Sequence, residues 1–285
     1  MQEKNLNILK DQVKYTGFGE GLEKELKENM QSGKATFTLE HQTKFGNDDA
    51  NTTLHFRKSE QTGNYFFNKY DLSVKPEGEK DALKQTFHIG YDNNITLKEG
   101  YNLLSGRSVH KEMAKLVDTG EDGSKRLEAK GEKYSAWLKM DLTDKDQSGN
   151  FKIKQYHQNY GFDLESALSK YPIKELTNAD DKTRLTESLQ KGNRQSVTFV
   201  MDGKEEKRFI EAAPQFKSIN QYDAQMKRAG FARSQSESQA QAPQQKADQK
   251  VDTATEKKTA KQSEDQGDRT QKKQGHQKRK GHSVA

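Results

Sequence analysis

A chain of 285 residues has room for one large domain or roughly two to three small ones. Only 29% of it is hydrophobic and 32% is charged, which excludes a packed core along its whole length. The absence of cysteine excludes disulfide frameworks, thiolate zinc sites and cysteine nucleophiles. No run approaches the roughly 18 apolar residues of a spanning helix. No apolar stretch follows Met1, so a soluble cytoplasmic protein is expected. The net charge of +6 is unevenly placed: residues 229–285 hold 12 Lys+Arg against 7 Asp+Glu, and residues 1–228 hold 37 against 36. A basic globule is therefore not the expectation; a near-neutral body with a basic end is.

Leu6, Leu9 and Val13 share a helical face and predict an amphipathic helix over 1–14. Gly17-Phe18-Gly19-Glu20-Gly21 lacks the third glycine of a dinucleotide fingerprint and follows no strand, so it reads as a flexible entry to the next helix. That helix carries Leu22, Leu26 and Met30 and ends at Gly33. Strands are predicted from Thr36, over Thr53–Arg57 after the Gly46–Asp49 loop, over Tyr65–Val74 and over Gln85–Ile89. Together 15–92 form a first module.

A second module, 93–172, opens on the capping box Thr96-Leu97-Lys98-Glu99 and a helix ending at Gly106. The charged, glycine-punctuated stretch Gly120–Gly131 reads as a mobile hairpin tip. Tyr134 to Leu142 alternates, with Trp137 facing away from Ala136, Leu138 and Met140. Phe151–Lys154 is the next strand, and Asp163 caps a short helix bearing Leu164 and Leu168. The third module, 173–228, starts at Thr177 with an acid three residues on. It carries Leu185 and Leu189, stops at Gly192, and continues as a hairpin turning at Asp202-Gly203. Helix, glycine and antiparallel strands recur, so the fold class expected is α+β, in tandem small modules. Residues 229–285 are too polar to offset the cost of ordering their backbone and are expected to be a disordered basic tail.

The segments Lys14-Tyr15-Thr16-Gly17-Phe18-Gly19, Thr43-Lys44-Phe45-Gly46-Asn47-Asp48-Asp49-Ala50, Leu54-His55-Phe56-Arg57-Lys58 and Tyr65-Phe66-Phe67-Asn68 carry a resemblance. So do Asn159-Tyr160-Gly161-Phe162-Asp163-Leu164, Lys170-Tyr171-Pro172-Ile173-Lys174-Glu175-Leu176 and Leu189-Gln190-Lys191-Gly192-Asn193-Arg194-Gln195-Ser196-Val197-Thr198. Together they resemble uncharacterised proteins encoded on conjugative transposons of Bacteroidetes. The likeness covers most of 4–228. Residues 164–222 resemble a domain of unknown function that often occurs in tandem in that group. The resemblance implies a mobile element in a bacterial cytoplasm and carries over no catalytic residues.

Candidate chemistry is sparse. Asp144-Lys145-Asp146-Gln147-Ser148-Gly149 has oxygen ligands at loop positions 1, 3 and 5 and glycine at 6, as in a calcium loop. Position 12 is Gln155, however, and both flanks read as strands, so a hairpin turn is expected and no metal or cofactor is. The histidines His41, His55, His88, His110 and His157 lie on or beside strands without zinc spacing, and no nucleophile elbow is present. Aromatic residues next to lysines recur on the third strand of each unit: Tyr65/Phe67/Lys69, Lys152/Lys154/Tyr156 and Phe216/Lys217/Tyr222. Such sheets can stack bases beside phosphate-binding cations; equally, the rings can be core and the lysines a wet face. Core is the simpler expectation.

In the last 17 residues Arg269, Lys272, Lys273, Lys278, Arg279 and Lys280 occur without an acid, either a phosphate-seeking arm or a solubilising end. The function expected is a non-enzymatic accessory protein of a mobile element. It would bind nucleic acid through that tail and, on the sheets, through residues such as Lys152, Lys154 and Tyr156. A module recruiting another element-encoded protein is the alternative, and a hydrolase with dispersed site residues the second alternative.

Overall fold

In a computed structural model, residues 2–90, 93–115, 117–120, 127–128 and 131–228 are described. The expected basic tail, 229–285, and most of the expected hairpin tip lie outside them. Helix α1 (Gln2–Val13) buries Leu9 and Val13, with Leu6 at the margin. It then widens into a single π turn, Lys14–Phe18, where Gly17 has φ +103°. A β-carbon on Gly17 would sit 3.4 Å from Leu97 Cβ, so glycine serves both the backbone angle and the close approach. Helix α2 (Glu23–Gln31) buries Leu26 and Met30.

Strands β1 (Thr36–Phe45), β2 (Asp48–Lys58), β3 (Tyr65–Lys75) and β4 (Leu83–His88) form an antiparallel meander in that order. The first hairpin is tighter than the sequence predicts, since Asp48 and Asp49 already pair with Phe45 and Lys44. On one face Leu39, Leu54, Phe56, Phe67, Tyr70 and Leu72 are buried under the helices. The aromatic residues Tyr65 and Phe67 thus belong to the core, as the simpler expectation has it, and Lys69 lies on the opposite face.

Thr96 caps α3 (Leu97–Leu104): its hydroxyl accepts from the Glu99 N–H and the Glu99 carboxylate accepts from the Thr96 N–H, the box visible in the sequence. Strand β5 (Ser108–Ala114) follows, then the short pair β6 (Val117–Asp118) and β7 (Leu127–Glu128). The long β8 (Lys133–Lys145) lies between β5 and β9 (Phe151–His157) in a second antiparallel sheet. β5 does not stand out in the sequence because Val109 is its one fully buried apolar side chain among charged neighbours.

Asp163 accepts from the Ser166 N–H at the start of α4 (Leu164–Leu168). For α5 (Ala179–Gln190) the cap is Asn178 rather than Thr177. Asn178 Oδ1 accepts from the N–H groups of Asp180 and Asp181, while the Thr177 hydroxyl donates to the Lys174 carbonyl and closes a 3₁₀ turn. A third antiparallel sheet, β10 (Gln195–Met201), β11 (Lys204–Ala213) and β12 (Ser218–Tyr222), ends the described chain. Its first turn has φ +49° at Asp202 and +73° at Gly203, the sense of twist a two-residue hairpin favours.

β8 decides how these pieces meet. Its residues Ala136, Leu138 and Met140 join the core beneath the first sheet, whereas Trp137 joins Leu168, Leu189, Phe199 and Ile210 in a second core. The alternation expected around Trp137 is therefore real, and both faces of the middle sheet are covered there. The whole is α+β, with helices packed on antiparallel sheets. No helix among the described residues is long and apolar enough to cross a membrane.

Candidate nucleic-acid interface

β9 is an edge strand whose side chains from Lys152 to Gln155 are all exposed. Strand alternation puts Lys152, Lys154 and Tyr156 on one face, opposite Asp141, Lys139 and Trp137 of β8. Both β9 lysines are matched by acids on β8. Lys154 Nζ is 2.7 Å from Asp141 and Lys152 Nζ is 2.9 Å from Asp144. The hydrogen bond each lysine donates to its carboxylate raises the lysine pKa, and the bonds from Lys154 and Thr143 hold Asp141 far below the usual carboxylate range. Exposed pairs of this kind are weak and screened by salt.

Lys139, directly opposite Lys154 on the sheet, is half-buried; burial lowers its pKa, with Glu211 acting in the opposite direction. It has no ion-pair partner among the described residues. Burial likewise raises the Tyr156 hydroxyl, followed by its neighbour Tyr160.

Two later segments extend this face. Tyr160, in the 3₁₀ turn after β9, meets Tyr156 edge-on with ring centroids 4.9 Å apart. Its hydroxyl donates to the Gln215 carbonyl at 2.9 Å. Lys217, held at φ +51° just past the turn Pro214–Phe216, lays its ammonium 5.0 Å from the Tyr160 ring centre. Gln215 in turn lines a depression of about 290 Å³ with Lys139, Asp141 and Lys154. Tyr160 (40% exposed) keeps an open ring with Lys217 against it, and the next residue along that loop, Phe216, is 61% exposed.

The structure thus gathers Lys152, Lys154 and Tyr156 on one strand face and adds Lys139, Tyr160, Phe216 and Lys217. Lys139 joins the face through its pairing with Lys154 and Tyr160 through its ring contact with Tyr156, four residues away; the loop carrying Phe216 and Lys217 arrives through the Tyr160–Gln215 hydrogen bond, 55 residues apart in the chain, which the sequence does not signal. Tyr222 is otherwise engaged. Its ring lies under the Arg194 guanidinium and its hydroxyl donates to the buried Glu211, a structural cluster. Arg269, Lys272, Lys273, Lys278, Arg279 and Lys280 lie outside the described residues.

Other chemistry does not assemble. In the turn between β8 and β9, Asp146 Oδ1 accepts from the N–H groups of Ser148 and Asn150, and Asp144 holds Lys152, so the calcium-like ligands are spent within the hairpin. No group of three or more His, Asp or Glu side chains suited to a metal occurs among the described residues. His55, Asp71 and Thr86 do meet across three strands, but Thr86 donates to Asp71 at 2.6 Å and so does not present its hydroxyl to the imidazole as a nucleophile. Compared with family models, with curated proteins and with solved structures, the chain finds no match in any of the three.

Proposed function

We propose that the chain is a non-enzymatic accessory protein of a bacterial mobile element that binds single-stranded nucleic acid. It does so across the Tyr156–Tyr160–Phe216 surface, reinforced by the basic tail. The observation that carries this reading is the exposed Tyr160 ring, packed against Tyr156 with Lys217 over it and bonded to Gln215, which in turn lines one depression with Lys139 and Lys154 of the strand face that also bears Lys152. Open rings give bases a stacking platform worth about 1–3 kcal/mol per base, and flanking ammonium groups meet the phosphates. The tail adds net charge of the right sign, and the resemblance to transposon-encoded proteins supplies the context. A free edge alone needs no aromatic residues.

Fluorescence anisotropy with a labelled single-stranded oligonucleotide, read at several salt concentrations, tests the proposal. Phe216→Ala and Tyr160→Ala should weaken binding with little change in salt slope. Removal of 229–285 should flatten the slope. If the intact chain shows no binding even at low salt, the reading is wrong.

One observation favours a protein partner instead. The outer edge of β10 is closed, since the Val200 N–H donates to the Pro172 carbonyl and the Thr198 N–H to the Glu175 carboxylate, whereas on β9 the Phe151 N–H is covered by Gln85 Oε1 and Lys152 to His157 carry no such cover among the described residues. A partner strand could extend the middle sheet there. A stoichiometric partner recovered after nuclease treatment would favour that second reading.

A further inference from the structure

A cleft of about 890 Å³ runs between α1 and the end of the first sheet where β3 starts and β4 finishes. Its volume is within the range of small-molecule sites, roughly 300–1,000 Å³. Three large apolar side chains border it while remaining open to water: Tyr15 (74% exposed), Ile8 (55%) and Phe66 (52%). Such a grouping is uncommon on a surface with no use for it.

The walls are fixed from both sides. Asn5 of α1 clamps the β3 backbone, accepting from the Tyr65 N–H at 2.8 Å and donating to the Tyr65 carbonyl at 3.0 Å. Asn94 holds Gly90 in the same two-handed way. The π turn after α1 carries Tyr15, and a register shift in β3 presents Asn68 beside Phe66.

The chemistry of the lining is selective. Among the described residues no lysine or arginine lines this cleft, and Asp11 is the one acid that does. Of the cations next to lining residues in the sequence, Lys14 is held by Glu20 and Lys10 by Glu23, each at 2.6 Å. Asn64, Asn68 and His88 line the cleft with no side-chain partner among the described residues, so each carboxamide has a free donor and a free acceptor. Among the described residues of the lining, phosphates and carboxylates find no lysine or arginine.

We propose that this cleft binds a neutral saccharide. The C–H faces of a sugar ring stack on Tyr15 and Phe66. Its hydroxyls, each donor and acceptor at once, pair with the carboxamides of Asn64 and Asn68 and with His88. The assignment is independent of the nucleic-acid surface.

Saturation-transfer NMR on the full chain with maltotriose, cellotriose, chitotriose and xylotriose at millimolar concentration tests it. At least one trisaccharide should receive saturation at its ring C–H protons. Phe66→Ala and Tyr15→Ala should each weaken that binding by about tenfold, while Phe216→Ala leaves it unchanged. Both rings are exposed, so these variants should keep the parent's melting temperature. Absence of transfer to all four sugars overturns the assignment, as does transfer that survives both ring substitutions. Displacement of the sugar by a nucleobase or a short peptide at lower concentration would reassign the cleft to that ligand.

Discussion

Three helices end on a glycine in the left-handed region, and their surroundings differ enough to make a quantitative test. Gly192, past the end of α5, has φ +76° and packs against the start of β5. A β-carbon there would lie 2.9 Å from the Ser108 carbonyl oxygen, 2.9 Å from Val109 Cγ2 and 3.1 Å from Asn102 Cβ. Gly33, past the end of α2, has φ +71° with nothing within 4 Å of the same added atom. Alanine at either site incurs the left-handed penalty of roughly 1–2 kcal/mol. At Gly192 a further ~1–3 kcal/mol of overpacking is expected, because a backbone carbonyl cannot rotate aside as a side chain can. Gly192→Ala should therefore cost about 2–5 kcal/mol against ~1–2 for Gly33→Ala. In melting temperature the gap is roughly 2–12 °C for a domain of this size. Gly106→Ala, whose nearest neighbour is 3.9 Å away, should resemble Gly33→Ala. Urea unfolding followed through Trp137 fluorescence measures all three. Losses equal within about 0.5 kcal/mol would refute the claim that contact at Ser108, rather than backbone angle alone, demands glycine at 192.

The sole tryptophan offers a second measurement. His110 lies 5.1 Å from Trp137, ring centre to ring centre, and burial lowers its pKa below 6.5. Trp137 emission should be quenched as the imidazole gains its proton, with a midpoint below 6.5, and the transition should vanish in His110→Gln. The same shift makes neutral His110 stabilising above pH 6.5, a contribution that fades as the pH falls through the folded value. For Asp71, burial opposes ionisation but the hydrogen bonds from Thr86 and His55 prevail, and the pKa lies below 3.8. Its contribution is present above 3.8 and lost as the pH falls further, so Asp71→Asn should flatten the acid limb of a stability profile. Glu99 and Lys111 form an ion pair at 3.0 Å with little exposure on either side. Lys111→Met should cost about 3 kcal/mol by stranding the carboxylate, and adding Glu99→Gln should restore part of it, as chemical denaturation would show.

What the sequence discloses depends on how far apart the interacting residues are. The box Thr96/Glu99 and the Asp163 cap are local and legible; Asn178 displaces Thr177 by one place because either side chain can cap, and the Thr177 hydroxyl is already committed to the Lys174 carbonyl of the preceding 3₁₀ turn. Alternation places Trp137 opposite Leu138 but gives no hint that Leu189 and Phe199 lie against it. At the candidate interface, Lys152, Lys154 and Tyr156 share a face by simple periodicity. Their pairing with Asp141 and Asp144, which follows from the hairpin register, and the arrival of Phe216 require the folded chain. The cleft beside α1 is the least legible feature, since the clamp joining Asn5 to Tyr65 spans 60 residues.

The middle sheet, greasy on two sides, ties the fate of its flanking layers together. Splitting the gene near residue 172 would leave each product with a wall built for a neighbour that is no longer there, Trp137 on one fragment and Leu189 with Phe199 on the other. Inheritance of these pieces as interchangeable cassettes would then demand that the seam travel with them, both halves of it at once.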